Sequence, residues 1–587
     1  MAMEPRYLAL FILSIIIASS TYMVWSAERG FGEITVETIQ VTRSNGRTVD
    51  FSVYKPRILT YGKPLPAVLT IHGISASRGE MLPVNIELAR RNFTVVSVDL
   101  AGHGVSSEVF GWGTFLEVVT DAYEAVRYVQ ATDPDTSQST WGVLGHSLGA
   151  GVAMLMQVMP VQPNATVIIG GGMGENFGGL SMPLNQTNPR NLMIACGLYD
   201  ELVSTDLAYA TLRTATGLSN ATSGTIYGNL SDGSARKLVL SATNHLFEIS
   251  DTTIVMQSVD WLGRSLQGAS QFDQHTLSIS NHIFQYANLA GSIQTSVMLL
   301  SVFPLYLITY SKLPAKLKPR RINDEWAPVR SSRALEFSLL LGSVGAVLFL
   351  SLMFLGLIME FAGINIVPVS FGTAFTLFSL AMFPVTVHFI GRSFGRHEMQ
   401  SDVGHGFEKR IRQMADDILR SFVLVLPLVA WLCVWSYLSS LLAGSRIGAT
   451  PQVIGGAVAF RAVSTIALTM TLLPLFYGDA LWLNQVVGVM SGWTSLISLS
   501  KKAVAIIVYR LVGFGILIAA LYLPFLAGVQ LGFVMFVALL MLPFAVLFGL
   551  SAVVALWAGG LSKNYMSTAL LNALLLAVII ASTFQII

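Results

Sequence analysis

Residues 140–153 read TWGVLGHSLGAGVA, an apolar run that passes through Gly145-His146-Ser147-Leu148-Gly149 into a small-residue stretch continuing to Met159. The first half has the composition of a buried strand and the second that of a helix, so the five residues between them must make a tight strand-to-helix turn. A turn of that kind strains the backbone of its central residue and tolerates only small neighbours. Gly145, Gly149 and Gly151 supply them. Such a turn lifts the Ser147 hydroxyl above the carboxyl edge of a sheet and aims the Leu148 N–H at the point where negative charge develops in acyl transfer.

A serine becomes a nucleophile only beside a base that takes its proton, itself oriented by an acid. In chain order both should follow Ser147 in loops at strand ends. After the strand-like NLMIAC (191–196) comes GLYDELV, which places Asp200 at a strand end, with Glu201 as its rival for the acid. After RKLVLS (236–241) comes ATNHLF, which places His245 likewise. Upstream, TIHGIS (70–75) ends another strand where a second oxyanion donor is needed, and Ile74 is the candidate for it. His72 then has a structural role. His103, in DLAGHGVS (99–106), precedes the nucleophile and fits a turn better than a base.

Around these motifs the pattern alternates. Strands are expected at 33–41, 49–54, 66–72, 93–99, 140–146, 165–170, 191–196 and 236–241, and helices at 79–91, 114–131, 148–159, 202–216 and 250–266. Short apolar strands alternating with helices imply a mostly parallel sheet covered on both faces, with the first pair forming an antiparallel hairpin at its edge. HGIS, DLAGHGVS, GHSLG, GLYDELV and NHLF together resemble the α/β-hydrolase superfamily over about residues 35–267. That resemblance implies Ser147 as nucleophile, Asp200 as acid, His245 as base and an acyl-enzyme intermediate, with no cofactor. It leaves the substrate open, since the fold hosts esterases, lipases, thioesterases and peptidases. The Gly-rich stretch 171–190 leaves little room for the helical cap found in many relatives.

The rest of the chain is of another kind. Over all 587 residues 53% are hydrophobic and 12% charged, with mean hydropathy +0.63, which excludes a single water-soluble globule. A net charge of +2 gives no reason to expect a nucleic-acid partner. Three parts are expected: an N-terminal anchor at 1–28, an extracytoplasmic α/β domain at 29–270, and a helical membrane domain at 271–587. In the last, apolar runs near 288–310, 334–359, 365–390, 419–443, 452–477, 503–526, 529–557 and 565–587 are each long enough to cross a bilayer. Residues 480–500 could add a crossing, which would move the C-terminus to the other side. The N-terminal run could alternatively be a cleaved signal peptide ending near Ser26-Ala27.

Lys312, Lys316, Lys318, Arg320, Arg321, Arg330 and Arg333 crowd one loop and Arg392, Arg396, Lys409, Arg410 and Arg412 another, which makes both loops cytoplasmic. The N-terminus is then cytoplasmic and the domain at 29–270 outside. Its five N-x-S/T acceptors, at Asn92, Asn164, Asn185, Asn220 and Asn229, suit that side. An anchor, an external lipase-like domain and a polytopic tail together are similar to the architecture of eukaryotic GPI inositol-deacylases, without a shared motif in the tail.

Two further features stand out. Arg461 is expected near the middle of a span, where an ionised group needs a partner, a cavity or a lipid headgroup. His397, Glu398, Asp402 and His405 cluster without a metal-ligand spacing, so no metal site is expected. Two function classes follow. One is a membrane-embedded serine hydrolase acting on an ester or thioester, with membrane lipids or a lipid-linked or small ester as partner. The other is a transporter or channel with an accessory hydrolase-like domain, motivated by Arg461.

Overall fold

The computed structural model describes residues 4–58, 64–174, 176–177, 180–182, 184–320, 331–394, 407–442, 458–483, 496–529, 533–562 and 564–587. Parts of both basic loops, the His397 to His405 cluster and residues 484–495 lie outside the described residues. The chain divides into two compact units: Leu13–Leu299 with Trp435–Ala459 and Ser582–Ile587, and Met1–Ile12 with Leu300–Val434 and Phe460–Ala581.

In the first unit, helix α1 (Pro5–Glu28) leads into strands β1 (Ile34–Thr42), β2 (Thr48–Pro56) and β3 (Leu65–Ile71), helix α2 (Leu82–Ala89), strand β4 (Thr94–Asp99) and helix α3 (Phe115–Thr132). There follow β5 (Thr136–His146), α4 (Leu148–Leu155), β6 (Ala165–Ile169), the two-residue strands β7 (Asn176–Phe177) and β8 (Leu180–Ser181), and β9 (Leu192–Gly197). Helix α5 (Thr205–Thr216), β10 (Ile226–Tyr227), β11 (Arg236–Ser241), α6 (Thr252–Leu266) and α7 (Ala269–His275) complete it. The large sheet has the order β1-β2-β4-β3-β5-β6-β9-β11-β10, parallel from β4 through β11 and antiparallel at both margins.

This layering follows from side-chain pattern. Strand β4 is buried at every position, as a strand covered on both faces must be, whereas the edge strand β1 is mostly exposed or half-buried. In α3 the buried Phe115, Val118, Val119, Ala122, Val126 and Val129 fall on one helical face. They join α4 and α5 in a core on one side of the sheet, while α2 and α6 form a second core on the other. Helix starts are fixed locally: Ser204 accepts the Leu207 N–H ahead of α5, and Asp251 accepts that of Ile254 ahead of α6. Every strand and helix expected in residues 29–285 is present, with ends shifted by a few residues. Between Gly171 and Arg190 the described residues hold only the β7–β8 hairpin and no helix, in keeping with the short Gly-rich sequence.

Eight long helices follow among the described residues: α8 (Phe284–Lys312), α9 (Ser331–Phe361), α10 (Gly372–Phe394), α11 (Phe407–Leu442), α12 (Val458–Leu481), α13 (Leu496–Leu526), α14 (Phe533–Ser562) and α15 (Tyr565–Thr583). Among the described residues, seven helices, α1 included, are long and apolar enough to cross a membrane. The start of α8 is tied to the globular core, because the buried Glu87 carboxylate accepts the N–H groups of Ile283 (2.6 Å) and Phe284 (3.1 Å). One expectation is corrected here. The last apolar run does not continue as helix to residue 587, since α15 ends at Thr583 and the residues beyond it pair with loop backbone. Arg461 lies in α12, where Nη1 donates to the Ala581 carbonyl (2.5 Å) in the last turn of α15; the residues ahead of Val458 lie outside the described residues. A guanidinium at a helix C-terminus satisfies a carbonyl that the helix itself cannot.

Candidate active site

The register of the sheet decides what meets at its carboxyl edge. Ile71 of β3 pairs with Gly145 of β5, so the loop after β3 lies beside the turn after β5. Gly197 of β9 pairs with Ser241 of β11, which brings the loops carrying Asp200 and His245 together. Their backbones are stitched by Leu198 N–H to the Ser241 carbonyl (2.8 Å) and Tyr199 N–H to the Thr243 carbonyl (3.0 Å).

Ser147 sits between β5 and α4 with φ 54° and ψ −114°, a region that costs a non-glycine residue about 1–3 kcal/mol. The strain is held by packing. A Cβ on Gly145 would collide with the Gly149 carbonyl, and one on Gly149 with the Ile71 carbonyl. The elbow therefore closes only with glycine at both places. Ser147 N–H is fixed to the Ile169 carbonyl (2.8 Å).

Three of the residues singled out above meet here. His245 Nε2 lies 3.0 Å from Ser147 Oγ, and its Nδ1 lies 3.0 Å from Asp200 Oδ2. A carboxylate can only accept, so Nδ1 carries the proton and Nε2 is left as the acceptor facing the serine. Asp200 Oδ1 accepts the N–H groups of Leu202 (2.7 Å) and Val203 (2.9 Å), which fixes the rotation of its carboxylate. Burial by itself would raise the Asp200 carboxyl. The His245 ring and these backbone N–H groups outweigh it and hold the group below the usual carboxylate range. Glu201 reaches a different part of the base: it accepts the His245 backbone N–H (3.3 Å) and the Asn244 amide (3.5 Å), not the ring.

Leu148 opens α4 directly after the serine and is buried. Ile74 belongs to the loop after β3, in which Ser75 takes a left-handed φ of 59° and Gly73 comes so close that a Cβ there would lie 3.2 Å from Ser147 Cβ. His72 is fully buried, with Nδ1 on the Gly73 carbonyl (2.7 Å) and Nε2 accepting the Leu100 N–H (3.0 Å). Burial lowers its pKa, so the ring is a neutral brace for the loop. His103 is buried in the turn after β4, on the Ala101 carbonyl (2.8 Å) and edge-on to Phe110.

The structure adds charged residues that sequence reasoning passed over. His146, read as part of the turn, lies between two carboxylates, with Nδ1 3.3 Å from Glu80 Oε1 and Nε2 3.5 Å from Glu248 Oε2. Burial works against its charge, but Glu80 and Glu248 prevail and push its pKa up to about 10. Glu80, with burial opposing, is held at about 2 by His146 and by the Gly73 N–H that it accepts (2.6 Å). Glu248 accepts the Gly197 N–H (2.5 Å), and burial raises its carboxyl to about 7. A buried pair of Arg78 and Asp99 (3.0 Å) binds the loop after β3 to the end of β4. For Glu248 a signal existed, since it stands three residues after His245 in the same 3-10 turn. Glu80 and Arg78 carry none.

Donor atoms of His146, His245 and Glu248, and of Cys196, Asp200 and Glu248, lie within 4.8 Å of one another. Their contacts are those of proton placement. Both His245 nitrogens are engaged, Glu248 holds a backbone N–H, and burial raises the Cys196 thiol pKa, so the thiol keeps its proton.

Compared with known proteins, residues 62–178 match the family described as serine aminopeptidase, S33. No curated protein matches the chain. Similar solved structures include the Pyrococcus furiosus esterase Pf2001, at 15% identity over 40% of this chain and 96% of that one, with a TM-score of 0.31. TT1662 from Thermus thermophilus is 18% identical over 40% of this chain and 99% of that one, TM-score 0.28. The thioesterase domain from the curacin biosynthetic pathway is 15% identical over 39% and 99%, TM-score 0.27.

Proposed function

We propose that this chain, an α/β hydrolase by fold, is a membrane-embedded serine hydrolase that cleaves an ester or thioester of a lipid or lipid-linked substrate outside the cytoplasm. The observation that carries the chemistry is the continuous line of hydrogen bonds from Ser147 Oγ through His245 to Asp200, 3.0 Å at each step, on a serine whose backbone is strained.

The steps follow from that line. His245 Nε2 takes the Ser147 proton as Oγ bonds to the acyl carbon, and Asp200 stabilises the imidazolium that results. The Leu148 and Ile74 N–H groups are assigned to the oxygen that becomes negative, from their places directly after the serine and in the loop after β3. Collapse of the tetrahedral intermediate expels the alcohol or thiol, which takes the proton from Nε2 and leaves an acyl-serine. Water then enters by the same route in reverse, with His245 again as base.

An apolar rim supports a lipid substrate. Leu198 and Tyr199 flank Asp200 and are 49% and 59% exposed, while Leu246 and Phe247 flank His245 and are 43% and 62% exposed. Val109 and Trp112, after β4, are exposed as well. Large apolar side chains standing in water at the mouth of a site fit acyl chains or a bilayer surface. The described residues of the Gly-rich 171–190 segment include no helix. The transporter alternative rested on Arg461, for which the Ala581 carbonyl is one partner; the line from Ser147 to Asp200 supports the hydrolase reading instead. A fluorophosphonate probe should label the full-length protein in its membrane and leave Ser147→Ala unlabelled. Persistent labelling of that variant would remove Ser147 from the mechanism.

A further inference from the structure

The six residues Ser582–Ile587, which follow nearly the whole helical part in sequence, belong to the same compact unit as the catalytic domain. Phe584, Gln585 and Ile586 are 2%, 4% and 1% exposed, so the segment is seated rather than trailing. Its backbone is paired on both sides of one residue: Ile586 N–H donates to the Gly102 carbonyl (2.8 Å), and Phe110 N–H donates to the Ile586 carbonyl (3.0 Å). Loop 100–111 is shaped to receive it. Gly102 has φ 75°, and a Cβ there would lie 2.6 Å from the Ile586 carbonyl oxygen and 2.7 Å from Phe110 Cβ. One side chain of this strap reaches further. Gln585 Oε1 accepts the Ser75 hydroxyl (3.1 Å) across 510 positions of sequence.

Ser75 is the left-handed residue directly after Ile74. Nothing in its own side chain favours φ 59°, a conformation an L-residue adopts at a cost, so an external partner is needed to hold it. On its other flank the same loop is gripped by Glu80 through the Gly73 N–H. Between these two anchors lies the one peptide whose N–H must aim at the reacting oxygen. A donor misaimed by less than an ångström loses much of its effect on a charge that exists only in the transition state.

We infer that Gln585 is a positioning residue for catalysis: through Ser75 it holds the Ile74 N–H on the developing oxyanion, so that the strap beyond the last helix completes the active site of the N-terminal domain. This rests on the serine-hydrolase reading above. It also fits the membrane-spanning reading, since six of the described helices α8–α15 are long and apolar enough to cross, and an even number of crossings returns the chain to the side from which α8 starts.

The test uses the full-length protein with a soluble aryl ester. Gln585→Met keeps the side-chain volume and removes the acceptor, and Ser75→Ala removes the donor. Each should lower kcat about 10-fold, leave KM within about twofold, and weaken inhibition by an aryl boronic acid in proportion to kcat, because only the tetrahedral adduct uses the hole. The double variant should be no worse than either single one, as expected when both remove one bond. Fluorophosphonate labelling of the unaltered protein is measured first, and its failure would defeat the hydrolase reading itself. With labelling intact, wild-type kcat in both variants, or losses that multiply in the double variant, would overturn the role of Gln585. Should Gln585→Met lower the melting temperature sharply, Ser75→Ala alone decides.

Discussion

Replacing Asp200 by Asn separates the two jobs of its carboxylate. Oδ1 accepts the Leu202 and Val203 N–H groups, while Oδ2 faces the His245 ring at 3.0 Å. An amide can keep the first pair of bonds only by placing its oxygen on them, which turns its NH2 toward His245 Nδ1. A donor there forces the ring to carry its proton on Nε2, so it donates toward Ser147 and cannot accept the serine proton. In another serine hydrolase this tautomer exchange costs about 10,000-fold in kcat with geometry preserved. At about 1.36 kcal/mol per decade that is roughly 5 kcal/mol of barrier. Because the orientation of the amide is fixed here by two backbone donors, we expect the full effect, with KM for a soluble aryl ester nearly unchanged and the melting temperature within a few degrees. Glu201→Gln is the control: Glu201 accepts the His245 backbone N–H and the Asn244 amide, so its neutralisation should cost about 10-fold or less. The assay is steady-state hydrolysis by the purified full-length protein beside the rate of fluorophosphonate labelling. If Glu201→Gln proves more damaging than Asp200→Asn, or if Asp200→Asn loses less than about 10-fold, Asp200 is not the acid.

Other outcomes follow from the same geometry. Gly149→Ala should yield little folded protein or a loss of about 3 kcal/mol in stability, since the added Cβ meets the Ile71 carbonyl of a central strand; a normal melting curve would refute the close packing of the elbow. The Glu80–His146 pair should stabilise the fold between about pH 5 and 9. His146, raised from 6.5 to about 10, gives a contribution present below the lower value and lost as pH rises through the upper, while Glu80, lowered from 4.5 to about 2, gives one lost as pH falls toward 2. The melting-temperature gap between the wild type and Glu80→Gln should therefore be widest between about pH 4.5 and 6.5 and shrink steadily as pH rises from there toward 10; a gap that widens on that side is inconsistent with the pair. Asn185, Asn220 and Asn229 are exposed whereas Asn92 is buried, so expression in a glycosylating eukaryotic host should add glycans removed by the triple Asn→Gln variant and unaffected by Asn92→Gln. Glycan-free protein from such a host would argue that the domain faces the cytoplasm.

Much of the catalytic unit could be read before any coordinates because its signals are local. The run WGVLG ahead of Ser147 could only be a buried strand, and the glycines beside that serine could only be a turn. Asp200 and His245 stood at strand ends, and parallel strands deliver their ends to one edge. What escaped were contacts between distant loops. Glu80 and Arg78 look like ordinary surface charges in sequence, yet one grips His146 and the other Asp99. The contact of Arg461 with the Ala581 carbonyl likewise joins positions 120 apart. The last span was drawn four residues too long for another reason. Phe584, Ile586 and Ile587 are as apolar as lipid-facing residues, and hydropathy alone cannot distinguish burial in a bilayer from burial against protein.

The strap has a consequence for when activity appears. The loop that carries Ser75 is made early, and its partner Gln585 is made 510 positions later. At about 5–20 residues per second the interval is roughly 25 to 100 s, in which Ser147, Asp200 and His245 are all made well before Gln585. During that time the triad residues are present without the brace on the oxyanion loop. On the proposed roles of Ser147 and Gln585, hydrolytic power is complete only once Gln585 has docked, and a chain interrupted among the helices leaves a weaker enzyme than the whole one.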